Sequence, residues 1–191
     1  EKYVSSLLRR ELSPDFIYHN LSHTNRVVKS VSILIEGENV TGIDAENLKI
    51  TAWFHDTGHI NGCKNHEENS VVLAVKFLKE HNVSEERIAQ ISSLILATKM
   101  GYEPQNLLEQ IIRDADCSHF ANKNFNDVSE LLRAEWEITN NKSFSNIEWV
   151  EENISFLRKH HQFYTNYAIN NWQEGKDKNL ASLLKTLKKL N

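Results

Sequence analysis

Proline stands at only two of the 191 positions, Pro14 and Pro104, and that scarcity limits what the chain can fold into. Proline is the strongest helix breaker, because it lacks the N–H donor and its ring clashes with the preceding turn. Only six glycines accompany it, so the turn chemistry that hairpins need is also sparse and long helices are expected. The apolar residues agree. Val27, Val31, Leu34 and Ile35 recur at the i, i+4, i+7, i+8 spacing that lines one helix face. Val71, Val75 and Leu78 repeat the pattern, as do Ile88, Ile91 and Ile95, then Val128, Leu131, Leu132 and Trp136, then Ile147, Val150, Ile154 and Leu157. Breaks are expected at Ser13-Pro14, near Gly37 and Gly42, across Gly58–Gly62, at Gly101–Pro104 and near Asn140-Asn141. Asp44 and Ser84 stand where N-caps would.

No segment alternates in a way that suggests a strand, and no repeat is visible. The expectation is a single all-α domain over residues 1–191, a bundle of roughly eight to ten helices at ordinary helix lengths. Its last stretch, residues 176–191, is lysine-rich, with Leu180, Leu183, Leu184 and Leu187 at helical spacing. It reads as a C-terminal amphipathic helix docked on the core, or as the start of a linker toward a membrane or partner region.

The net charge of −4, with acids and bases mixed, argues against broad binding to a nucleic-acid duplex. An anionic substrate then needs positive charge from bound metal. Cys63 and Cys117 are too few for a disulfide framework and fit a reducing cytoplasm. No apolar run reaches the ~20 residues that span a bilayer, and no signal peptide is visible. Glu1 rather than Met suggests a portion of a longer protein.

Three fragments carry chemistry: Tyr18–His23 (YHNLSH), Trp53–His59 (WFHDTGH) and Ile112–Cys117 (IRDADC). Together they offer imidazoles and carboxylates, a donor set suited to a divalent ion that activates water. His55 and His59 are four apart, as in the H-E-x-x-H zinc-protease motif. Asp56 is a methylene short of that motif's glutamate, however, and Gly58 weakens the helix that would present His59. On a continuous helix, His55 and Asp56 would point about 100° apart, so geometry permits a shared site without demanding one.

The order His23 … His55-Asp56 … Asp116 resembles the HD superfamily of metal-dependent phosphohydrolases, all-α enzymes that bind one or two divalent ions. Tyr18-His19-Asn20-Leu21-Ser22-His23 is similar to the Y-H-N-x-x-H signature of cyclic nucleotide phosphodiesterases. His55-Asp56-x-x-His59, followed by Gly62 and Asn65, echoes another of their segments with one extra residue before the glycine. A likeness over nearly the whole chain (YHNLSHTNRVV, AWFHDTGHI, HEENSV, ILATKM, DADCSHF, FLRKHHQFYTNYA) resembles the HD proteins of bacterial Pycsar-type effectors. There an HD domain precedes a membrane-spanning segment and is associated with cyclic pyrimidine nucleotide signalling.

The resemblance implies His23, His55, Asp56 and Asp116 as metal ligands, with Asp56 able to bridge a second ion. Asp114 competes with Asp116 for the last place. It also implies His19 as general acid, against a hydrogen-bonding role at a helix start, and offers His59 as a further catalytic residue. His66 would serve a second metal or a phosphate. Lys99 stands where many two-metal relatives have histidine, and either pairs with substrate phosphate or is a solvated lysine. His81, His119, His160 and His161 carry no such implication, and the tryptophans read as core and rim rather than a base-stacking platform. The implied cofactor is Mn²⁺, Fe²⁺, Co²⁺, Zn²⁺ or Mg²⁺, as one or two ions. The implied activity is hydrolysis of a small phosphorylated substrate, a nucleotide, by metal-activated water. The alternative is a nucleotide-sensing domain of a signalling or antiphage effector with little turnover. An isologous homodimer is the expected assembly if the chain oligomerises.

Overall fold

A computed structural model describes residues 1–190. Ten α-helices account for most of them: α1 (Lys2–Glu11), α2 (Leu21–Gly37), α3 (Gly42–Phe54), α4 (His66–Glu80), α5 (Glu85–Leu96), α6 (Leu107–Asp116), α7 (Phe125–Thr139), α8 (Asn146–Ser155), α9 (Asn166–Asn171) and α10 (Gln173–Leu190). Short 3₁₀ turns follow α3 (Thr57–Asn61) and α6 (Cys117–Ala121), and a π-helical turn (Phe156–His160) extends α8. No strand occurs among the described residues. The all-α expectation is met.

The central layer is α2 against α3 and α6. Val27, Val31 and Leu34 of α2 meet Leu48 and Ala52 of α3 and Ile111, Ile112 and Ala115 of α6, all essentially without exposure. Burial of each such branched side chain contributes about 1.5–3 kcal/mol, so this seam fixes three helix ends relative to one another. On its far side Val4, Leu8, Phe54, Ala74, Leu78, Ile88, Ile91 and Ile95 join α1, α4 and α5 to α3. A third cluster, Phe120, Phe125, Val150, Ile154, Leu157 and Leu183, ties α7, α8 and α10 to the turn after α6. The described part of the lysine-rich C-terminal stretch, residues 176–190, is therefore a docked helix, with Leu183 buried and Leu180, Leu184 and Leu187 packed beside it, and Asn191 lies outside the described residues.

Local details depart from the sequence reading in three places. Ser84 caps α5 by accepting the Arg87 N–H, but Asp44 is not a cap. Helix α3 starts at Gly42 with Thr41 as its N-cap, three residues earlier than a cap at Asp44 would place it, so Asp44 lies in its first turn and accepts from Gln90 Nε2 at 2.9 Å. In α7, Leu131 leaves the apolar stripe and is 44% exposed, while the buried positions one turn further on include a charged residue, Glu135. In α4, Val71 and Val75 are only half-buried and Ala74 and Leu78 form the contact face.

Candidate metal centre

The first fragment is a helix start. Asn20 is the N-cap of α2, its side chain accepting the Ser22 N–H at 2.8 Å. His23 is therefore a first-turn residue, buried and aimed inward. His19 precedes the helix, so the two histidines are not stacked one turn apart on a common helix. Their rings meet edge to face at 5.7 Å because the chain bends at the cap.

The second fragment is a helix end. Helix α3 stops at Phe54, and Asp56 has φ −108° and ψ 5°, outside helical geometry. The 100° divergence expected on a continuous helix is thereby removed: His55 Nε2 lies 3.1 Å from the carboxylate Oδ2 of Asp56. Gly58 secures the turn. Its N–H donates to Ser70 Oγ at 2.8 Å, and a Cβ placed on it would lie 1.9 Å from the His66 carbonyl oxygen. Only glycine allows this backbone approach to α4, and the approach brings His66 beside Asp56.

The third fragment ends α6. Asp116 is the last helical residue, and Asp114 two positions earlier points the other way. Asp114 is buried and accepts the Thr165 N–H and Oγ1–H at 2.8 Å each and the Tyr164 N–H at 3.0 Å. It pins the chain entering α9. Asp116 faces the histidines and remains partly open to solvent.

The four side chains converge. His23 Nε2 lies 3.2 Å from His55 Nε2, 3.1 Å from Asp56 Oδ2 and 3.1 Å from Asp116 Oδ1, and His55 Nε2 lies 3.7 Å from Asp116 Oδ1. Donors held by one ion at bonds of about 2.0–2.2 Å stand about 3 Å or slightly more from each other, so the spacing suits a single divalent ion. Two further observations support the fit. Asp56 Oδ2 is buried, yet no well-directed hydrogen bond reaches it. His55 Nδ1 is 2.9 Å from the Ala52 carbonyl, which must accept, so the Nε2 lone pair is left for an ion. Electrostatically the group is tight. Burial opposes charge on His55, but Asp56 and Asp116 outweigh it and raise its pKa well above the ordinary value. Burial likewise works against ionised Asp56, and His55 and His23 more than reverse it, holding the carboxyl well below the usual range.

A second group meets on the other side of Asp56. Donor atoms of His19, Asp56 and His59 lie within 4.8 Å of one another. The His59 ring is sandwiched between His66 at 4.0 Å and His19 at 4.6 Å, and neither of its nitrogens has a partner. Burial lowers its pKa to about 2, so it is neutral. His66 Nε2 lies 3.8 Å from Asp56 Oδ1 and 3.4 Å from Glu67 Oε1. Lys99 lies at the surface with its ammonium paired with Glu68, the residue that follows Glu67 on α4.

Glu135 is the functional residue that sequence reasoning missed. It is 1% exposed and reaches from α7 to the turn before α2. One oxygen accepts the backbone N–H groups of Tyr18 and His19 at 2.8 and 2.9 Å, and the other accepts the His19 Nδ1–H. Burial alone would lower the His19 pKa; the Glu135 bond and the Asp56 and Asp116 charges overcome it, and the pKa is raised. A signal was available, because Glu135 continues the Val128–Leu132 stripe at i+7, where a carboxylate on an apolar face demands a partner. His119 is also drawn in. Buried under Asp116, it has its ring nitrogens 3.4 Å from Tyr18 Oη, and burial holds its pKa near 3.

Residues 20–121 match the family model described as HD domain, over half of the chain. Neither the curated proteins nor the solved structures compared with the chain include a match.

Proposed function

Because the chain belongs to the HD domain family, we propose that it is a metal-dependent phosphohydrolase that cleaves a nucleotide phosphoester. His23, His55, Asp56 and Asp116 would hold the divalent ion, and a bound ion supplies Lewis acidity at phosphoryl oxygens and a water of lowered pKa. A second ion would find His59 and His66 beside the same Asp56. The observation that carries the reading is the convergence of these four side chains next to a histidine already held by a buried carboxylate.

The chain's own residues do the remaining work. Glu135 takes the Nδ1–H of His19 and so presents the opposite ring nitrogen. That Nε2–H is the proton delivered to the leaving oxygen as its bond to phosphorus breaks. The raised pKa keeps His19 protonated nearer to neutrality, as a general acid requires. The buried histidines around it exclude bulk water from one side of the reacting group. A nucleotide as the phosphoester, and a signalling or antiphage setting, are supported by the Tyr18–His23 motif and by the likeness to Pycsar-type proteins.

A metal-by-substrate screen tests the proposal, using cyclic nucleotides, nucleoside monophosphates, alarmone-like nucleotides and short oligonucleotides. Hydrolysis lost together with bound metal in His55→Ala and Asp116→Ala supports it. Full metal content and activity in either variant would sink it, and tight binding without product across the panel would replace hydrolysis with sensing.

A further inference from the structure

Beside the candidate metal centre, and sharing His19 and Asp116 with it, a cleft runs between the turn after α6 and the helices α7 and α8. Its walls are aromatic and apolar: Phe120, Trp136, Trp149 and Phe156, with exposed Met100 on the rim. Trp136 and Phe156 are only half-buried, so part of each ring is open to a ligand. The wall is fixed from behind. Trp149 Nε1–H donates to Ser129 Oγ at 3.1 Å, and Ser129 donates to Asn153 Oδ1 at 3.0 Å. Trp136 stands edge-on to Trp149 at 5.8 Å.

We infer that this cleft receives the base of the nucleotide substrate, stacked against Trp136 and Phe156, while its phosphate lies at the His/Asp cluster. The inference rests on the hydrolase reading for its phosphate end and on the cleft alone for its base. Charge sets the orientation. Away from Asp116, the one charged side chain lining the cleft is Glu152, an exposed carboxylate that would repel a phosphate, so the uncharged part of the substrate belongs inside. Ring-lined walls favour a flat π-system over a sugar, because every nucleobase has a face that stacks on an aromatic side chain. Trp136, Trp149, Glu152 and Phe156 all lie beyond residue 121, outside the segment that matches the family. Selectivity is thus carried by a part of the chain distinct from the metal-binding part.

The test is calorimetric titration of the Mn²⁺-loaded protein with AMP, GMP, CMP and UMP, with ribose 5-phosphate and geranyl phosphate as comparisons. At least one nucleotide should bind tenfold or more tightly than ribose 5-phosphate and tighter than geranyl phosphate. Trp136→Ala should erase that advantage, and Trp136→Phe should keep most of it with an unchanged melting temperature. Equal binding of nucleotides and ribose 5-phosphate, an advantage that survives Trp136→Ala, or preference for geranyl phosphate would overturn the inference. Product formation across the nucleotide panel of the hydrolysis screen is read in parallel. A base preference without hydrolysis leaves the cleft assignment standing and removes the hydrolase reading; hydrolysis without a base preference does the opposite.

Discussion

Glu135 grips His19 twice, taking the imidazole Nδ1–H with one carboxylate oxygen and the same residue's backbone N–H with the other, at 2.9 Å. The side chain is thereby fixed in both tautomer and direction, although α7 lies more than a hundred residues away in the chain. The cap at Asn20 and the stack on His59 hold the rest of the segment, so Glu135 completes a site in which the His19 ring has one direction.

Glu135→Gln should lower kcat by about tenfold, and His19→Ala by about 10²–10⁴-fold, the usual range for a general acid. The pH profile carries the sign. Glu135 helps raise the His19 pKa, so its removal lowers that pKa. The acid must be protonated to act, hence the alkaline limb of the rate profile should move to lower pH in Glu135→Gln. An unmoved limb would show that His19 is not the proton donor.

The two aspartates of the Asp114-Ala115-Asp116 run should separate cleanly. Asp114→Ala leaves the Tyr164 and Thr165 donors unpaired, and should cost about 2–4 kcal/mol of stability. At about 2–4 °C per kcal/mol for a domain of this size, the melting temperature falls markedly while metal content is retained. Asp116→Ala should do the reverse. Elemental analysis and thermal melts on the same preparations decide it.

Gly58→Ala tests the turn that sets Asp56 beside His66. The added methyl would meet the His66 carbonyl oxygen, with the Ser70 N–H and Asn69 Cβ close behind. Backbone must move, at a cost of about 1–3 kcal/mol. Melting should come earlier, and metal stoichiometry should fall before the fold is lost. A variant with wild-type melting and metal content would mean that the turn can be rebuilt without consequence.

Acid sensitivity should come partly from His161, remote in sequence from the candidate metal ligands. Its ring lies against Phe120 at 4.7 Å and Phe163 at 4.8 Å with both nitrogens unpartnered. Burial, then the nearby Lys176 charge, lowers its pKa from 6.5 to about 3. Between those values the unfolded chain binds a proton that the folded chain refuses, so stability from this group rises with pH and is lost as pH falls through the window. The slope is at most about 1.4 kcal/mol per pH unit. Urea midpoints at pH 4.5 and 7 should differ less in His161→Phe than in the unaltered protein.

The helices were legible because their signal is local. Stripes such as Val27–Ile35 and Ile88–Ile95 mark buried faces in the sequence itself, Gly37 ends α2, and Pro14 and Gly101 fall in the connections after α1 and α5. The His23, His55-Asp56 and Asp116 set was legible through its order, since helix geometry by itself would have paired His55 with His59. What escaped was whatever depends on tertiary approach. Asp56 joins His55 only because α3 ends one residue before the pair, and Glu135 finds His19 across more than a hundred residues. The tryptophans are core and rim, as the sequence suggests, with Trp149 buried and Trp136 half-buried; that both line a cleft beside the cluster depends on how α7 and α8 approach it. Thr41 and Asp44 are both residue types that cap helices, and which of them does so is decided by where the chain turns at Gly42, whose φ is positive.

Glu135 and Trp136 are joined by a single peptide bond, one gripping His19 and the other walling the cleft. Any slip of α7 along its axis would therefore retune both at once. On the proposed reading, descendants of this chain could not change what they accept without also disturbing how they deliver a proton, and engineers who wish to redirect it should exchange side chains on α8 before touching α7.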